Sequence, residues 1–290
     1  MGGYQMKIAI SGASGFIGTN LSHYFESRGH SILPINRATL SGENKEMLHS
    51  ILSQADIVIN LAGASINKRW TNKYKKELRD SRIITTRKIV ETINLSKHKP
   101  LLLLSASAVG YYHSEGHHNE SVFEKGTGFL SDLCEEWETE AQNLSSDVRL
   151  CITRFGIVLA DKGGAFGKMA LPTKFGLIPI LGSGRQYFPW IDLADLTRAI
   201  EYIIYNEEIK HIVNLVAPET ISQNSLIRYV AKHYRGVIPL KIPAPVLSCI
   251  MGESASFLTE GQYVSSKKLQ ESNFIFKSPT ISDFCSNLLD

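Results

Sequence analysis

Short apolar runs alternate with longer stretches of mixed polarity through the first half of the chain. Apolar runs bounded by turn residues are typical of buried strands, and apolar residues spaced three and four apart indicate amphipathic helices. This alternation is the pattern of βαβ units, whose strands lie parallel in one sheet. The predicted strands are 7–11, 31–36, 57–61, 101–105 and 149–155, and the predicted helices are 16–28, 72–97 and 129–144.

The pattern becomes irregular after residue 160, where glycine and proline are frequent. Such stretches usually form loops and small lobes, although a strand at 211–216 and a helix at 224–233 interrupt this one. We therefore predict a doubly wound parallel α/β sheet of the Rossmann type with a smaller C-terminal substrate lobe. The predicted division is a Rossmann domain over 6–160 and a lobe over 161–290, with 190–217 returning to the Rossmann domain.

The composition excludes several classes of partner. The 290 residues are 43% hydrophobic and carry a net charge of +3 without a block of like charges, so no nucleic acid partner is expected. The four cysteines, Cys134, Cys151, Cys249 and Cys285, show no metal-ligand spacing, and no metal site is predicted. The start lacks a signal peptide's pattern and no apolar run is long enough for a membrane span, which predicts a cytoplasmic protein without a membrane partner.

A glycine-rich turn follows the first predicted strand, in the order GxxGxxG, and leads into a helix with an apolar face. In such a unit the first glycine permits the tight turn, the second lets a pyrophosphate approach the backbone, and the third lets the helix pack on the strand. The alternative is a turn that only connects strand to helix. The residues predicted to bind a dinucleotide are Gly12, Ser14, Gly15, Phe16, Ile17 and Gly18.

The end of the second predicted strand indicates which dinucleotide binds. An acidic residue there would bind the adenosine ribose, whereas an arginine accommodates a 2′-phosphate. The sequence has Asn36 and Arg37 and no acid. NADP(H) is therefore the predicted cofactor, with Arg37 holding the phosphate through charge-assisted hydrogen bonds. The alternative is that Arg37 is a solvated loop residue.

Several segments in order along the chain resemble one group of proteins. They are ADIVINLAG, KRWTNKYKKELRDSRIITTRKIVETI, LLLLSASAVGYY, FLSDLCEEWETEA, TRFGIVLADKGGAFGKM, LGSGRQYFPWIDLADL and LTEGQYVSSKKLQESNFIFKSPT. By these segments the chain is similar to an atypical subgroup of the extended short-chain dehydrogenase/reductase superfamily, the epimerase-family or nucleoside-diphosphate-sugar-epimerase-like proteins. The resemblance implies a Rossmann fold in which Leu61, Ala62 and Gly63 lie along the cofactor.

In that superfamily a Tyr and a Lys one helical turn apart transfer the proton that accompanies hydride transfer. The Lys lowers the pKa of the Tyr, and a nearby Ser or Thr holds the substrate oxygen. The predicted helix 129–144 is expected to carry the pair, but its corresponding residues are Phe129 with Leu133, or Leu130 with Cys134. The usual catalytic pair is missing.

One Tyr-x-x-x-Lys does occur elsewhere, at Tyr263 and Lys267. A motif this short arises by chance in a chain with 11 tyrosines. It also lies in the predicted C-terminal lobe, away from the sheet, so we interpret it as a chance match.

Candidate substitutes lie in SASAVGYY, after the predicted strand 101–105 and at the edge where ligands of open parallel sheets bind. Ser105 and Ser107 flank Ala106, and we expect one of them to face the nicotinamide. Ser107 is favoured as the ligand of the substrate oxygen, and Ser105 is assigned to the cofactor. Two further candidates, Tyr111 and Tyr112, either supply a phenolic proton or pack as loop aromatics.

Charged residues in two further segments are also candidate site residues. Arg79 or Arg82 would reach the cofactor pyrophosphate or an anionic substrate, and Arg82 is the one assigned to the cofactor; surface ion pairing is the alternative. Arg185 lies in a segment that resembles the part of sugar-nucleotide epimerases that closes over the substrate. Asp192 and Asp195 follow it, and at least one is interpreted as a helix-start residue.

Two functions of different classes remain. The first is an NADP(H)-dependent oxidoreductase or epimerase-like enzyme that acts on a small polar substrate, such as a nucleotide sugar, without the usual pair. The second is a catalytically silent NADP(H)-binding sensor that regulates a partner. The missing pair favours the sensor and the retained SAS segment favours the enzyme. The sequence leaves a homodimer open.

Overall fold

The computed structural model describes residues 5–40, 45–161, 163–233 and 236–288. The strands are β1 (Lys7–Ser11), β2 (Ser31–Ile35), β3 (Ile57–Asn60), β4 (Leu102–Ala108), β5 (His117–His118), β6 (Arg149–Phe155), β7 (Ile157–Leu159), β8 (Leu177–Leu181), β9 (Trp190–Asp192), β10 (His211–Leu215), β11 (Ile238–Ile242) and β12 (Tyr263–Val264). The helices are α1 (Phe16–Glu26), α2 (Lys45–Leu52), α3 (Asn72–Leu95), α4 (Phe129–Gln142), α5 (Gly164–Lys174), α6 (Leu193–Tyr205), α7 (Gln223–His233), α8 (Ala244–Met251), α9 (Ser256–Thr259), α10 (Lys267–Glu271) and α11 (Ile281–Asn287). Two short 3-10 helices cover Val109–Tyr111 and Gly252–Ala255.

A six-stranded sheet forms the centre, in the order β10-β6-β4-β3-β1-β2, and every neighbouring pair of strands is parallel. One face of the sheet packs against α1 and α6 through a core that includes Leu21, Phe25 and Ile200. The other face packs against α2 and α3, with Leu48 and Ile89 in its core. The predicted doubly wound parallel sheet is therefore confirmed.

The order of the strands reverses at β1. The chain goes from β1 to β2 on one side and then crosses to β3 on the other side. Ligands of open α/β sheets bind in the crevice outside the carboxyl ends of the strands at such a switch point. The turns after β1 and β3, beginning at Gly12 and Leu61, border this crevice.

The predicted strand 101–105 is three residues too short at its carboxyl end, since β4 continues through Ala108. The neighbouring strand β6 offers partners as far as Phe155, which lies opposite Ala108. Ser107 therefore lies inside the sheet, opposite Arg154, and not in the loop that follows it.

A second core lies beyond the sheet. It joins α5, α7 and α11 to strands β8 and β9, with Phe166, Trp190 and Phe284 among its buried members. Strands β8 and β11 form a separate parallel pair, and β7 pairs with β9. Helix α6 and strand β10 return to the main sheet, so the chain passes between the two cores more than once.

Candidate functional site

The turn after β1 brings three glycines together at the start of α1. Gly12 has a φ of +74°, and its carbonyl oxygen accepts a hydrogen bond from the Gly15 amide at 2.9 Å. A Cβ on Gly18 would overlap that same carbonyl oxygen. Gly15 is the N-cap of α1 and gives the helix no side-chain cap, while Ser14 beside it is exposed. The turn is compact, and the first amides of α1 are open to an anion.

The turn after β3 lies against the glycine turn. A Cβ on Gly12 would lie 3.0 Å from the Leu61 carbonyl oxygen, so the two backbones are in contact. The Ser11 hydroxyl, at the end of β1, donates to Asn60 Oδ1 at 2.5 Å and accepts from the Ala62 amide at 3.3 Å. The two predicted cofactor segments are therefore neighbours across the switch point.

Phe16 and Ile17, the first two residues of α1, face different surroundings. Ile17 packs against the main core. The Phe16 ring lies against Gly163 and Gly164, because a Cβ on either glycine would lie 3.0 Å from a ring carbon. These glycines have φ values of +88° and +61°, and the second begins α5. The ring thus connects the glycine turn to the second core, because it packs against the backbone of the two glycines where α5 begins.

A turn at the end of β2 presents Arg37 to solvent. The Asn36 Oδ1 atom accepts hydrogen bonds from the amide and the hydroxyl of Thr39, at 2.9 and 3.1 Å, and Thr39 is buried. Asn36 therefore shapes the turn with its side chain. Arg37 is exposed, and within the described ranges no carboxylate forms an ion pair with it. Its guanidinium is available to a phosphate.

The two arginines of α3 have different surroundings. Arg79 forms an ion pair with Glu136 of α4, as the surface-pairing alternative predicts. Arg82 donates to the carbonyl oxygens of Leu78 and Ala64, at 3.1 and 3.0 Å. A Cβ on Gly63 would lie 2.9 Å from the Arg82 Cζ atom. The structure therefore brings Arg82, and not Arg79, to the turn after β3.

Ser107 belongs to a buried polar network. Its hydroxyl donates to Glu138 Oε1 at 2.6 Å, and Arg154 donates to both oxygens of Glu138, at 2.8 and 2.7 Å. The side chains of Arg154 and Glu138 are 0% and 4% exposed. Burial lowers the pKa of Arg154, but the hydrogen bonds and the charge of Glu138 raise it overall, so the arginine is charged.

Ser105 lies deeper in the same strand. Because side chains alternate along a strand, Ser105 and Ser107 share one face of β4 and differ in depth. Ser105 is 1% exposed, and its hydroxyl has no hydrogen-bond partner in the part of the chain that the structure describes. Ser107 is the serine nearer to the carboxyl end of the strand.

Tyr111 and Tyr112 occupy different environments. The Tyr112 hydroxyl donates to Asn214 Oδ1 at 2.7 Å, and the residue is 1% exposed. Burial raises the pKa of Tyr112 to about 12, although Arg154 lowers it. Tyr111 is only partly buried, and its ring stacks over the Arg154 guanidinium at 3.6 Å. This geometry favours a packing role for Tyr112 and leaves Tyr111 as the accessible phenol.

Helix α4 carries both of the residue pairs that the sequence sets against the usual one, Phe129 with Leu133 and Leu130 with Cys134. The Cys134 side chain is buried, and burial raises the pKa of its thiol to about 12. The other motif does not replace the pair, since Tyr263 stacks on His117 and Lys267 lies 3.7 Å from Glu271. The ring and the amine of that motif serve separate local contacts.

The three charged candidates in the segment 185–195 have different surroundings: one is exposed, and two hold backbone amides in place. Asp192 is the N-cap of α6 and accepts from the Ala194 amide at 3.0 Å. Asp195 accepts from the amides of Lys277 and Ser278, at 2.9 and 2.8 Å. Arg185 is exposed. The helix-start interpretation of Asp192 agrees with this geometry.

Two residues of the site, Glu138 and Arg154, are absent from the sequence prediction. A signal for Glu138 was present, because Leu130, Cys134 and Glu138 are four residues apart and share one face of the helix. An acid on the buried face of an amphipathic helix requires a partner. Arg154 had no such signal, because only the strand register brings it opposite Ser107.

Two features are absent from the described residues. No group of three or more histidine, cysteine or acidic side chains there is arranged to hold a metal ion. Among the same residues no helix is both long and apolar enough to cross a bilayer.

Comparison with known proteins agrees with this geometry. A family model described as the NAD dependent epimerase/dehydratase family matches residues 8–215. The chain belongs to the NAD dependent epimerase/dehydratase family. A second model, described as a domain of unknown function, matches residues 242–288.

Relatives of this family match nearly the whole chain. Epimerase family protein SSP1921 of Staphylococcus saprophyticus is 34% identical over 94% of this chain and 95% of its own length. An Arabidopsis thaliana protein, the chloroplastic homolog of epimerase family protein SDR39U1, is 32% identical over 96% of this chain and 85% of its own. The predicted membership of the epimerase-family subgroup is confirmed.

Solved structures agree on the fold. Human epimerase family protein SDR39U1, crystallised with NADPH, superposes with a TM-score of 0.88 at 27% identity, covering 98% of this chain and 99% of its own. A dTDP-4-dehydrorhamnose reductase of Bacillus anthracis in complex with NADP has a TM-score of 0.79 at 14% identity, covering 99% of both chains. At the low identity of the Bacillus anthracis protein, the likeness supports only the fold.

Proposed function

We propose that this protein binds NADP(H) and acts as an NADP(H)-dependent oxidoreductase or epimerase-like enzyme on a small polar substrate. One observation carries the proposal: the uncapped start of α1 faces the turn after β3, and the exposed Arg37 lies at the end of the neighbouring β2. The first feature suits a pyrophosphate and the second a 2′-phosphate. The NADPH of the human relative supports the same cofactor.

We place the proposed cofactor residues around one crevice, at the switch point of the sheet. The pyrophosphate would lie on the amides of the glycine turn, and Asn36 would hold the turn that carries Arg37. The Leu61–Gly63 backbone would flank the cofactor on the opposite side. The full proposed set is Gly12, Ser14, Gly15, Phe16, Ile17, Gly18, Asn36, Arg37, Leu61, Ala62, Gly63, Arg82 and Ser105.

The proposed catalytic groups are Ser107 and Tyr111. NADP(H) supplies or accepts a hydride when it is bound. Glu138 accepts the hydrogen of Ser107, which is 3% exposed, so toward a substrate the serine would act as an acceptor and receive a hydrogen bond from a substrate hydroxyl. The Tyr111 phenol has no hydrogen-bond partner among the described residues and would exchange a proton there. Tyr112 stays outside this set because its hydroxyl is bonded to Asn214.

The second function, a catalytically silent NADP(H) sensor, rests on a specific observation. Neither Phe129 with Leu133 nor Leu130 with Cys134 gives α4 a group that transfers protons at neutral pH. Ser107 is already bonded to Glu138. A sensor of this kind needs a crevice that binds the cofactor, but it does not need to catalyse a reaction.

The division of the chain belongs to the same proposal. We place cofactor binding in 6–160 and substrate binding mainly in 161–290, with 190–217 completing the Rossmann sheet. The four cysteines are free thiols, which supports a reducing compartment such as the cytoplasm.

Titration calorimetry with NADPH and NADH, followed by rapid mixing of the NADPH complex with carbonyl compounds and sugar nucleotides, tests the proposal. Oxidation of the cofactor by any of these compounds, lost in Ser107→Ala with NADPH affinity intact, supports the enzyme. Binding without oxidation supports the sensor. A protein that binds neither dinucleotide overturns both.

A further inference from the structure

Basic residues without acidic neighbours in sequence are concentrated in two segments around the second core. The segments 162–191 and 220–252 contain eight of the 31 Lys and Arg residues and none of the 28 Asp and Glu residues. The rest of the chain is therefore net negative, although the whole chain carries +3. Such an asymmetry of charge is typical of proteins that meet a polyanion or a membrane surface.

The same two segments expose large apolar side chains at the end where β8 and β11 begin. The amides of Val237 and Ile238 donate to the Gly176 carbonyl oxygen at 3.0 and 2.9 Å, which places them beside the turn that carries Phe175. Phe175, Val237 and Ile238 are 77%, 73% and 58% exposed. Leu240, two residues further along β11 and on the same face as Ile238, is 43% exposed. These four residues form one apolar patch, whereas exposed apolar residues on a surface are usually scattered.

Exposed lysines surround the apolar patch. Lys174 is the last residue of α5 and directly precedes the patch in sequence, and Lys241 directly follows it. Lys232 lies in the last turn of α7. The Gly236 amide donates to the Ala231 carbonyl oxygen at 2.8 Å, so the chain folds back from α7 toward the patch. Lysine side chains are long enough to place their charge beyond an apolar surface that they border.

This combination of charge and apolar surface favours one kind of occupant. A second copy of the chain would bring the same lysines together, and like charges repel. A nucleic acid would attract the lysines, but the exposed aliphatic side chains would gain little from its polar, hydrated surface. A bilayer with anionic headgroups offers phosphates to the lysines and an apolar boundary to the patch.

We propose that the apolar patch and its lysines bind the surface of an anionic membrane, with the Phe175 ring at the boundary between headgroups and acyl chains. Attachment to a surface needs no spanning helix, so it is compatible with the absence of one among the described residues. It departs from the expectation that the protein has no membrane partner, which rests on missing apolar spans. It does not depend on the proposed reaction.

Flotation of the full chain with lipid vesicles tests the proposal. We expect the wild type to float with vesicles of equal parts phosphatidylcholine and phosphatidylglycerol, and not with phosphatidylcholine alone or at high salt. Phe175→Ser should weaken binding to the mixed vesicles by about tenfold, and Lys232→Glu by at least about tenfold.

Two matched controls come from the end of α3, in the part of the chain that carries the main sheet. Leu95→Ser changes an apolar side chain that is 82% exposed, and Lys97→Glu reverses the charge of an exposed lysine. Both variants should float like the wild type. Urea denaturation of the four variants checks that each is folded, which is expected because every substituted side chain is exposed.

A tryptophan in place of Phe175 shows where the contact lies. The three natural tryptophans, Trp70, Trp137 and Trp190, are buried, so an added exposed indole accounts for a change in emission. The emission of Phe175→Trp should move to shorter wavelength with the mixed vesicles and become protected from acrylamide, because indoles favour the membrane interface. Leu95→Trp should show neither effect.

Several outcomes would overturn the proposal. A wild type that does not float with the mixed vesicles at low salt is one, and flotation that Phe175→Ser leaves intact is another. A wild-type dimer in sedimentation velocity that Phe175→Ser converts to a monomer would assign the patch to a second copy. Polyglutamate that binds as tightly as the mixed vesicles would assign it to an acidic protein. None of these results bears on the binding of NADP(H).

Discussion

The hydroxyl of Ser107 donates its hydrogen to Glu138, with 2.6 Å between Oγ and Oε1. Glu138 holds Arg154 through both carboxylate oxygens at the same time. An ionised carboxylate only accepts hydrogen bonds, so the direction of the serine's bond is determined. Two side chains, one from β4 and one from β6, therefore depend on one buried carboxylate of α4.

Glu138→Ala is expected to destabilise the protein by about 3 to 5 kcal/mol, because it leaves the Arg154 charge buried without its partner. Ser107→Ala removes one neutral donor and should cost only about 1 kcal/mol. Urea denaturation of the two variants and the wild type measures both changes.

Glu140→Ala is the matched control, since Glu140 lies on the same helix and pairs with the exposed Arg87. It should leave the free energy of unfolding nearly unchanged. If Glu138→Ala proves as mild as this control, the buried network does not stabilise the fold.

Arg37→Glu should weaken NADPH binding by at least about tenfold, because it replaces a cation at the 2′-phosphate with an anion. NADH lacks that phosphate, so its affinity should change by less than about threefold. Calorimetric titration of both dinucleotides measures the ratio. An equal loss for NADPH and NADH would remove Arg37 from the phosphate site.

The stability of the protein should depend on Tyr112 at alkaline pH. The pKa of Tyr112 is raised from 10.0 to about 12 in the folded protein, so between these values the phenol ionises in the unfolded chain and stays neutral in the fold. Stability is complete below the unfolded pKa and falls as pH rises toward the folded pKa, by up to about 3 kcal/mol.

Tyr112→Phe removes this dependence together with the bond to Asn214. The variant should be less stable than the wild type by about 1 kcal/mol near pH 8, and the difference should shrink and then reverse above about pH 11. Tyr24 and Cys134, whose pKa values are also near 12, are present in both proteins and cancel. Urea denaturation across this range that gives a constant difference would contradict the burial of the phenol.

Gly18→Ala should displace the dinucleotide turn, since the new methyl group would overlap the Gly12 carbonyl oxygen. We expect a loss of stability of about 1 to 3 kcal/mol and at least a tenfold loss of NADPH affinity. Gly167→Ala is the control, because a Cβ there meets nothing within 4 Å and the residue lies inside α5. The control should bind NADPH normally and gain stability from the lower entropy of alanine in a helix. Normal NADPH affinity in Gly18→Ala would show that the glycine turn does not bind the cofactor.

The parts of this protein that follow local patterns were predictable from sequence. The predicted strand 149–155 and the predicted start of α4 at Phe129 match the structure, because short apolar runs and helical spacing reflect burial directly. The predicted end of β4 was wrong, because pairing with β6, and not the sequence of β4, decides how far β4 extends.

The candidate site was predictable only where a motif lies within one segment. The glycine turn is such a motif. The separate surroundings of Arg79 and Arg82 depend on which α4 residues face each arginine, and Tyr111 differs from Tyr112 because of Asn214, far away in sequence. Contacts between distant segments have no periodic signature.

The contact of the Phe16 ring with Gly163 and Gly164 also restricts how relatives of this protein can diverge. The aromatic ring at the start of α1 packs directly against the backbone of two glycines at the start of α5. Relatives that keep the ring should therefore keep both glycines, whereas a small residue in place of Phe16 would remove the steric restriction and leave only the positive φ values to favour glycine there.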